Sequence, residues 1–258
     1  MDLSHPAYGQ LRPVTETASV LLADNPGLMT LEGTNTWVLR GPGSDELVIV
    51  DPGPDDDEHI GRVAGLGRIV LVLISHRHCD HTDGIDKLAD ATGAPVWSVR
   101  SGFQRRLGGG LTDGQVIDAA GLRIKVLATP GHTADSVSFV LDDAVLTADT
   151  VLGRGTTVID TEDGDLASYL ESLRRLRGLG ARTVLPGHGP ELANLDAVAS
   201  GYLAHREQRL AEVRSALARL GEDATARQVV EHVYTDVDEK LWDAAEWSVQ
   251  AQLNYLRK

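Results

Sequence analysis

Residues 69–81 read Ile69-Val70-Leu71-Val72-Leu73-Ile74-Ser75-His76-Arg77-His78-Cys79-Asp80-His81. Six consecutive apolar residues, four of them β-branched, predict a strand covered on both faces. The abrupt change to three imidazoles and a carboxylate predicts a functional loop held at the end of that strand by a rigid scaffold. Neutral imidazole and carboxylate are the ligands zinc takes in catalytic sites. Because alternate residues diverge in direction, His76 and His78 are expected to point to one metal while Asp80 and His81 point to a neighbouring one. Cys79 is expected to be a packed, inert thiol.

On the N-terminal side, residues 17–24, 34–40 and 46–51 are short β-branched or apolar runs punctuated by Gly33, Gly41, Gly43 and Pro52-Gly53, and predict antiparallel strands. A helix is expected over roughly 56–65. On the C-terminal side the pattern predicts a helix near 83–91, strands near 95–99, 122–128, 136–141 and 144–148, a helix at 163–177 and a last strand at 182–185. Strands interleaved with helices at this length imply an α/β protein of two face-to-face sheets with helices outside. From about 195, Leu203, Leu210, Val213, Leu217 and Leu220 form a helical stripe. Thr225 is placed to cap a second helix carrying Val229, Val230 and Val233, and Leu241, Ala245, Val249 and Leu253 line a third. The expected division is a catalytic domain over 1–194 and a small helical domain over 195–258. No internal repeat is present, which excludes a solenoid.

Three further loops carry potential ligands: Pro130-Gly131-His132-Thr133, Leu146-Thr147-Ala148-Asp149-Thr150 and Pro186-Gly187-His188-Gly189. Glycine beside each histidine permits the sharp turns that aim it inward. The predicted metal set is therefore His76, His78, Asp80, His81, His132, Asp149 and His188. Two divalent cations roughly 3.5–4 Å apart need a bridging anion, for which Asp149 is suited, and a bridging hydroxide becomes available at neutral pH because the metals lower the pKa of water to around 7. Asp80 is placed to orient the nucleophile or accept its proton while serving as a ligand, which makes it the candidate catalytic residue. Two zinc ions are expected, although manganese or iron accept the same nitrogen and oxygen donors. His5, His59, His205 and His232 lack a ligand-like context and are expected at the surface.

The chain has 258 residues, enough for a full core, and a formal net charge of −14, so its surface as a whole repels polyanions. A single cysteine excludes an internal disulfide framework and fits a reducing compartment. Met1-Asp2-Leu3-Ser4-His5-Pro6 has neither the basic region nor the apolar run of a signal peptide, and no apolar stretch reaches membrane-spanning length. The expectation is a cytoplasmic protein without a membrane partner, which counts against an exported antibiotic-degrading enzyme.

His76-x-His78-x-Asp80-His81, then His132, Asp149 and His188 in that order, resembles the metallo-β-lactamase superfamily over about residues 15–192. The resemblance implies a four-layer αββα sandwich with the metals at one edge between the sheets: His76, His78 and His132 on the first metal, Asp80, His81 and His188 on the second, Asp149 bridging. Asn25-Pro26-Gly27, Leu31-Glu32-Gly33-Thr34-Asn35-Thr36-Trp37 and Ile49-Val50-Asp51-Pro52-Gly53, with the helical tail, are similar to the group of the mitochondrial β-lactamase-like endoribonuclease and its bacterial relatives. That group carries a small winged-helix-like C-terminal domain. Here the tail ends at Lys258 soon after its third helix, so the β-wing is expected to be missing or minimal. The tail holds eight Lys or Arg against eleven Asp or Glu, a net of −3, and is not a basic module. Arg206, Arg209 and Arg214 are candidates for one helix face turned toward the site.

Two enzymatic readings follow, endonucleolytic hydrolysis of single-stranded RNA and hydrolysis of a small or carrier-bound ester or thioester as in the glyoxalase II and acyl-carrier thioesterase branches. A third, from another class, is a metal-binding interaction protein without catalysis, against which the intact ligand set argues. Substrate choice is expected in loops 25–36 and 100–112.

Overall fold

The computed structural model describes residues 5–234 and 242–257. Leu241, Lys240 and Lys258, and the N-terminal Met1 to Ser4, lie outside the described residues. Strands β1 (Arg12–Pro13), β2 (Ala18–Leu22), β3 (Asn35–Leu39), β4 (Glu46–Val50), β5 (Arg68–Leu73) and β6 (Val96–Trp97) form one sheet in that order. Strands β7 (Val116–Ala119), β8 (Leu122–Ala128), β9 (Val137–Val140), β10 (Ala144–Ala148) and β11 (Thr183–Pro186) form the other, ordered β11-β10-β9-β8-β7. The runs predicted before residue 51 pair antiparallel, Ser19 opposite Val38 and Val38 opposite Ile49. The crossovers through α1 (Asp57–Ala64) and through α2 (Cys79–Thr82) with α3 (Ile85–Thr92) add β5 and β6 in parallel, and α4 (Leu166–Arg177) connects β10 to its parallel neighbour β11.

Side-chain alternation along the strands builds the layers. Trp37, Leu39, Val48, Val50, Leu71 and Leu73 of the first sheet meet Ile124, Val126, Phe139 and Leu146 of the second in a shared core. Their neighbours Val38, Ile49 and Val72 face outward onto Ile60 and Val63 of α1 and Leu88 of α3. On the other side Val140, Val145 and Val184 meet Tyr169, Leu170 and Leu173 of α4, and Leu195, Tyr202 and Leu203 of the long α5 (Leu195–Leu220). The result is the expected α/β four-layer αββα sandwich. The strand near 95–99 is only two residues long, and β1 and β7 arise where no strand was expected. Both of the unexpected strands are edge strands, whose half-exposed residues carry a weak apolar signal.

The tail is helical among its described residues: α5, α6 (Ala226–Val233) and α7 (Trp242–Leu256). Thr225 caps α6, its side chain accepting from the Gln228 N–H while Gln228 bonds back to the Thr225 N–H. Val213, Leu217, Val229, Val230, Val249 and Leu253 make a separate small core. The first half of α5 instead belongs to the sandwich, so one helix runs through both packing units. Among the described residues no helix is long and apolar enough to cross a membrane.

Candidate metal centre

The C-terminal ends of β4, β5, β8, β10 and β11 meet at one edge of the sandwich, and each delivers one piece of the site. Asp51 follows β4 with φ 56° and Ala148 ends β10 with φ 44°, left-handed conformations that a non-glycine residue holds only where its surroundings impose them. Asp51 is a buried hub: Oδ1 accepts from the Ser75 N–H at 2.8 Å, and Oδ2 accepts from Ser75 Oγ–H at 2.6 Å and His81 Nδ1–H at 2.9 Å. Gly187 lies where a Cβ would come within 2.3 Å of Asp149 Oδ1 and 2.9 Å of His81 Cε1, so that position admits no side chain.

All seven predicted residues converge here. His76 Nε2 and His132 Nε2 lie 3.1 and 3.0 Å from His78 Nδ1. Asp80 Oδ2 lies 3.2 Å from both His81 Nε2 and His188 Nε2, which are 3.3 Å from each other. Asp149 touches both groups, with Oδ2 3.3 Å from His188 Nε2, 3.7 Å from His132 Nε2 and 3.9 Å from His76 Nε2, and Oδ1 3.5 Å from His81 Nε2. His76, His78, His132 and Asp149 could thus hold one cation, and Asp80, His81 and His188 a second. Asp51, His76 and His81 also lie close together, but Asp51 already accepts three hydrogen bonds and serves to orient its neighbours.

The ring protons test whether cations fit. Each imidazole gives its outer nitrogen to an acceptor: His132 Nδ1 to the Val158 carbonyl at 2.6 Å, His188 Nδ1 to the Gly33 carbonyl at 3.0 Å, His81 Nδ1 to Asp51, and His78 Nε2 to Asp160 Oδ2 at 2.7 Å. Ser75 donates its own hydroxyl proton to Asp51, so at 2.9 Å it accepts from His76 Nδ1. A neutral ring has one proton, and all five are spent outside. The three inner nitrogens of His76, His78 and His132 are therefore lone pairs about 3 Å apart, an arrangement that a cation stabilises. Burial and the neighbouring rings push the imidazolium of His76 well below its ordinary pKa, and burial pushes His132 down, so protonation is no substitute. In the second group burial opposes charge, yet Asp149 raises His188 to about 9. There a metal must displace protons. Asp149 Oδ1 is buried without a hydrogen-bond partner, as a ligand oxygen would be.

The outer partners Asp51, Ser75, Asp160, Gly33 and Val158 were not anticipated. Ile49-Val50-Asp51-Pro52-Gly53 was singled out only for its resemblance, and Asp160 sits in an acidic loop with no distinguishing pattern. Arg77 ties Asp160 down at 2.9 Å and also reaches Glu162 at 3.0 Å. The expectations for Cys79 and His59 are corrected. Cys79 is exposed rather than packed, because α2 begins at that residue and turns it outward while His78 and Asp80 face the site. His59 is buried rather than at the surface, its Nε2 2.9 Å from Thr36 Oγ1, because α1 packs that face onto the sheet.

A cavity of about 450 Å³ opens on His132 and Asp149. Leu28, Met29 and Leu31 of the 25–36 loop line it, and Arg154 lies in the loop after β10. The tail contributes His205, Arg206 and Arg209 of α5 and Gln252 of α7. Arg214 is exposed outside this lining, since five residues of helix turn it some 140° from Arg209. His205, expected at the surface, is half-buried in the cavity wall, and loop 100–112 contributes nothing to the lining.

Residues 29–188 match the metallo-beta-lactamase superfamily, and residues 225–258 match the beta-lactamase associated winged helix domain. The chain is 31% identical to a Beta-lactamase-like protein 2 homolog of Caenorhabditis elegans over 90% of its own length and 82% of the relative's. It is 34% identical to the Atrochrysone carboxyl ACP thioesterase of Aspergillus fumigatus over 78% of this chain and 64% of that one. Among solved structures, a beta-lactamase domain protein from Burkholderia ambifaria superposes with a TM-score of 0.82 at 21% identity, covering 98% of this chain and 89% of that one. With its sandwich, its histidine-rich edge and its helical tail, the chain belongs to the metallo-β-lactamase superfamily of hydrolases.

Proposed function

We propose that the chain is a dinuclear zinc hydrolase of small or carrier-bound esters or thioesters, with His76, His78 and His132 on one metal, Asp80, His81 and His188 on the other and Asp149 between them. The observation that carries the metal assignment is the set of five imidazoles whose outer nitrogens each meet an acceptor, which turns their inner nitrogens and the carboxylate oxygens toward one another. Bound divalent cations supply Lewis acidity and a nucleophilic water at neutral pH. Asp80, at 21% the more exposed of the two central carboxylates, accepts a proton of the attacking water, and Thr34 Oγ1–H steadies its Oδ2 at 3.0 Å. In the thioester case water oxygen replaces sulfur on the acyl carbon. The C–S bond breaks, a water proton goes to the departing thiolate, and the products are a carboxylate, a proton and a thiol. A cavity of about 450 Å³ and a net charge of −14 support a small substrate over a polyanion, and the similarity to a named thioesterase agrees.

A second reading, cleavage of single-stranded RNA, draws on the resemblance of residues 25–37 and 49–53 to the β-lactamase-like endoribonuclease group and on three arginines, Arg154, Arg206 and Arg209, in the cavity wall. We place the catalytic unit at 1–194 and the substrate-facing tail at 195–258, in a protein acting in the cytoplasm. One preparation, assayed against labelled single-stranded RNA and a panel of thioesters beside its Asp80→Ala variant, tests these readings together. Thioester turnover is expected to fall roughly 10²- to 10⁴-fold in the variant. Turnover that survives the substitution sinks the assignment, and RNA cleavage that alone disappears favours the second reading.

A further inference from the structure

The cavity beside the centre has two unlike walls. Leu28, Met29, Leu31 and Leu152 make an apolar side, and the tail supplies a polar one through His205, Arg206 and Gln252. Arg206 is only 3% exposed and Gln252 only 1%. The guanidinium of Arg206 gives Nη2–H to the Thr157 carbonyl and stacks 5.1 Å from the centroid of Tyr169, but among the described residues it has no carboxylate within ion-pair distance. Its neighbours in the lining differ: Arg154 pairs with Glu32, and Arg209 with Glu212 at 2.6 Å. Arg206 thus carries the uncompensated positive charge of this wall.

Three polar atoms of the same wall are buried without a hydrogen-bond partner: Arg206 Nε, His205 Nδ1 and Gln252 Oε1. At His205 the protonation follows from geometry. Arg209 Nε donates to His205 Nε2 at 3.5 Å, and since a guanidinium cannot accept, the ring proton sits on Nδ1. Burial and the adjacent guanidinium groups keep this ring neutral by lowering its pKa. The wall therefore offers two unused N–H donors, one on the unpaired Arg206 guanidinium and one on His205, with the unmet acceptor Gln252 Oε1 in the same lining. Buried donors and charges without partners are rare in folded proteins, and they concentrate where a ligand completes them. A carboxylate or phosphate oxygen accepts from a guanidinium and an imidazole N–H together, and of these the carboxylate is the one that the far end of an acyl group carries.

We infer that Arg206 and His205 receive a carboxylate at the remote end of the acyl group, so that the preferred substrates are short monothioesters or monoesters of dicarboxylic acids. This rests on the ester or thioester reading above. It assigns the tail a direct part in substrate choice: α5 provides the anion site, and the apolar wall holds the methylene chain.

The experiment compares S-glutaryl and S-pentanoyl thioesters of N-acetylcysteamine, which have equal chain lengths and differ by one terminal carboxylate, on the metal-loaded full chain and its Arg206→Gln variant. Wild type is expected to prefer the glutaryl compound roughly 10- to 100-fold in kcat/KM, mainly through KM, and the variant to lose that preference. A ratio within one preparation is unaffected by the fraction folded, so a purely structural role for Arg206 would lower both rates and leave the ratio intact. Calorimetric titration of wild type with glutarate and with pentanoate needs no variant, and glutarate is expected to bind roughly tenfold or more tightly. Equal turnover of the two thioesters with equal binding of the two acids overturns the anion site while leaving thioester hydrolysis standing. Tighter glutarate binding without turnover of either thioester keeps the anion site and removes the proposed reaction.

Discussion

At the scale of single residues, the centre depends on acceptors that never face the reaction. Asp51 alone fixes Ser75 and His81, and through the Ser75 hydroxyl it fixes His76, so one carboxylate sets ring orientation in both metal groups. Asp51→Asn keeps the shape but replaces one carboxylate oxygen with a donor. We expect metal affinity to fall roughly 10- to 100-fold, read as metal content after dialysis against a weak chelator; unchanged content would deny Asp51 its orienting role. His59 makes a separate point. Burial lowers its pKa from 6.5 to about 4, so the fold favours the neutral ring. That contribution is complete above pH 6.5 and disappears as pH falls toward 4, amounting to about 3 kcal/mol. Urea midpoints at pH 7 and pH 4.5 should therefore diverge less in His59→Gln than in wild type.

At the scale of elements, caps decide where the helices begin. The helix expected over 163–177 starts only at Leu166 because the Asp165 side chain accepts from the Ser168 N–H, which leaves 159–165 free to form the loop that brings Asp160 to His78. In the tail, Thr225 and Gln228 close a reciprocal cap on α6. Thr225→Ala should cost about 1 kcal/mol in denaturant unfolding, without changing metal content, since α6 packs within the tail core away from the ligands. Coupled loss of metal would show that the tail and the centre form one cooperative unit.

At the scale of the molecule, the proposed metal centre and α5 join the layers. The residues that could hold cations come from both sheets, His76 and His81 after β5, Asp149 after β10 and His188 after β11, so cations bound at the edge would clamp the sandwich. Removing metal with a chelator should lower the unfolding midpoint by roughly 5–10 °C, as expected when a ligand present at about 100 times its Kd is withdrawn. An unchanged midpoint would mean that no metal is bound in the native state. Helix α5 ties the other side: its first turns pack on α4, its last turns on α6 and α7, and Arg206 between them reaches the Thr157 carbonyl, whose residue in turn donates to the Asp149 carbonyl.

The short-range order of this chain was open to direct reading. Six apolar residues running into His76-Arg77-His78-Cys79-Asp80-His81 specify a buried strand ending in a site loop, and period-two and period-four stripes locate the other long strands and helices, because those signals are set by neighbours within a few positions. The seven central residues were legible for the same reason, as unusual donors at tight spacing or beside turn-forming glycines. What only the tertiary structure decided is everything that depends on contacts between distant segments. Asp160 meets His78 across 82 positions, His188 Nδ1 meets the Gly33 carbonyl across 155, and Arg206 comes into the cavity that opens on Asp149. Cys79 and His59 went astray for this cause, since the face a side chain presents is settled by what packs against its element. An ordinary aspartate or arginine carries no local mark of its task, and its role appears only when the fold leaves it buried beside an imidazole, or beside nothing of opposite charge.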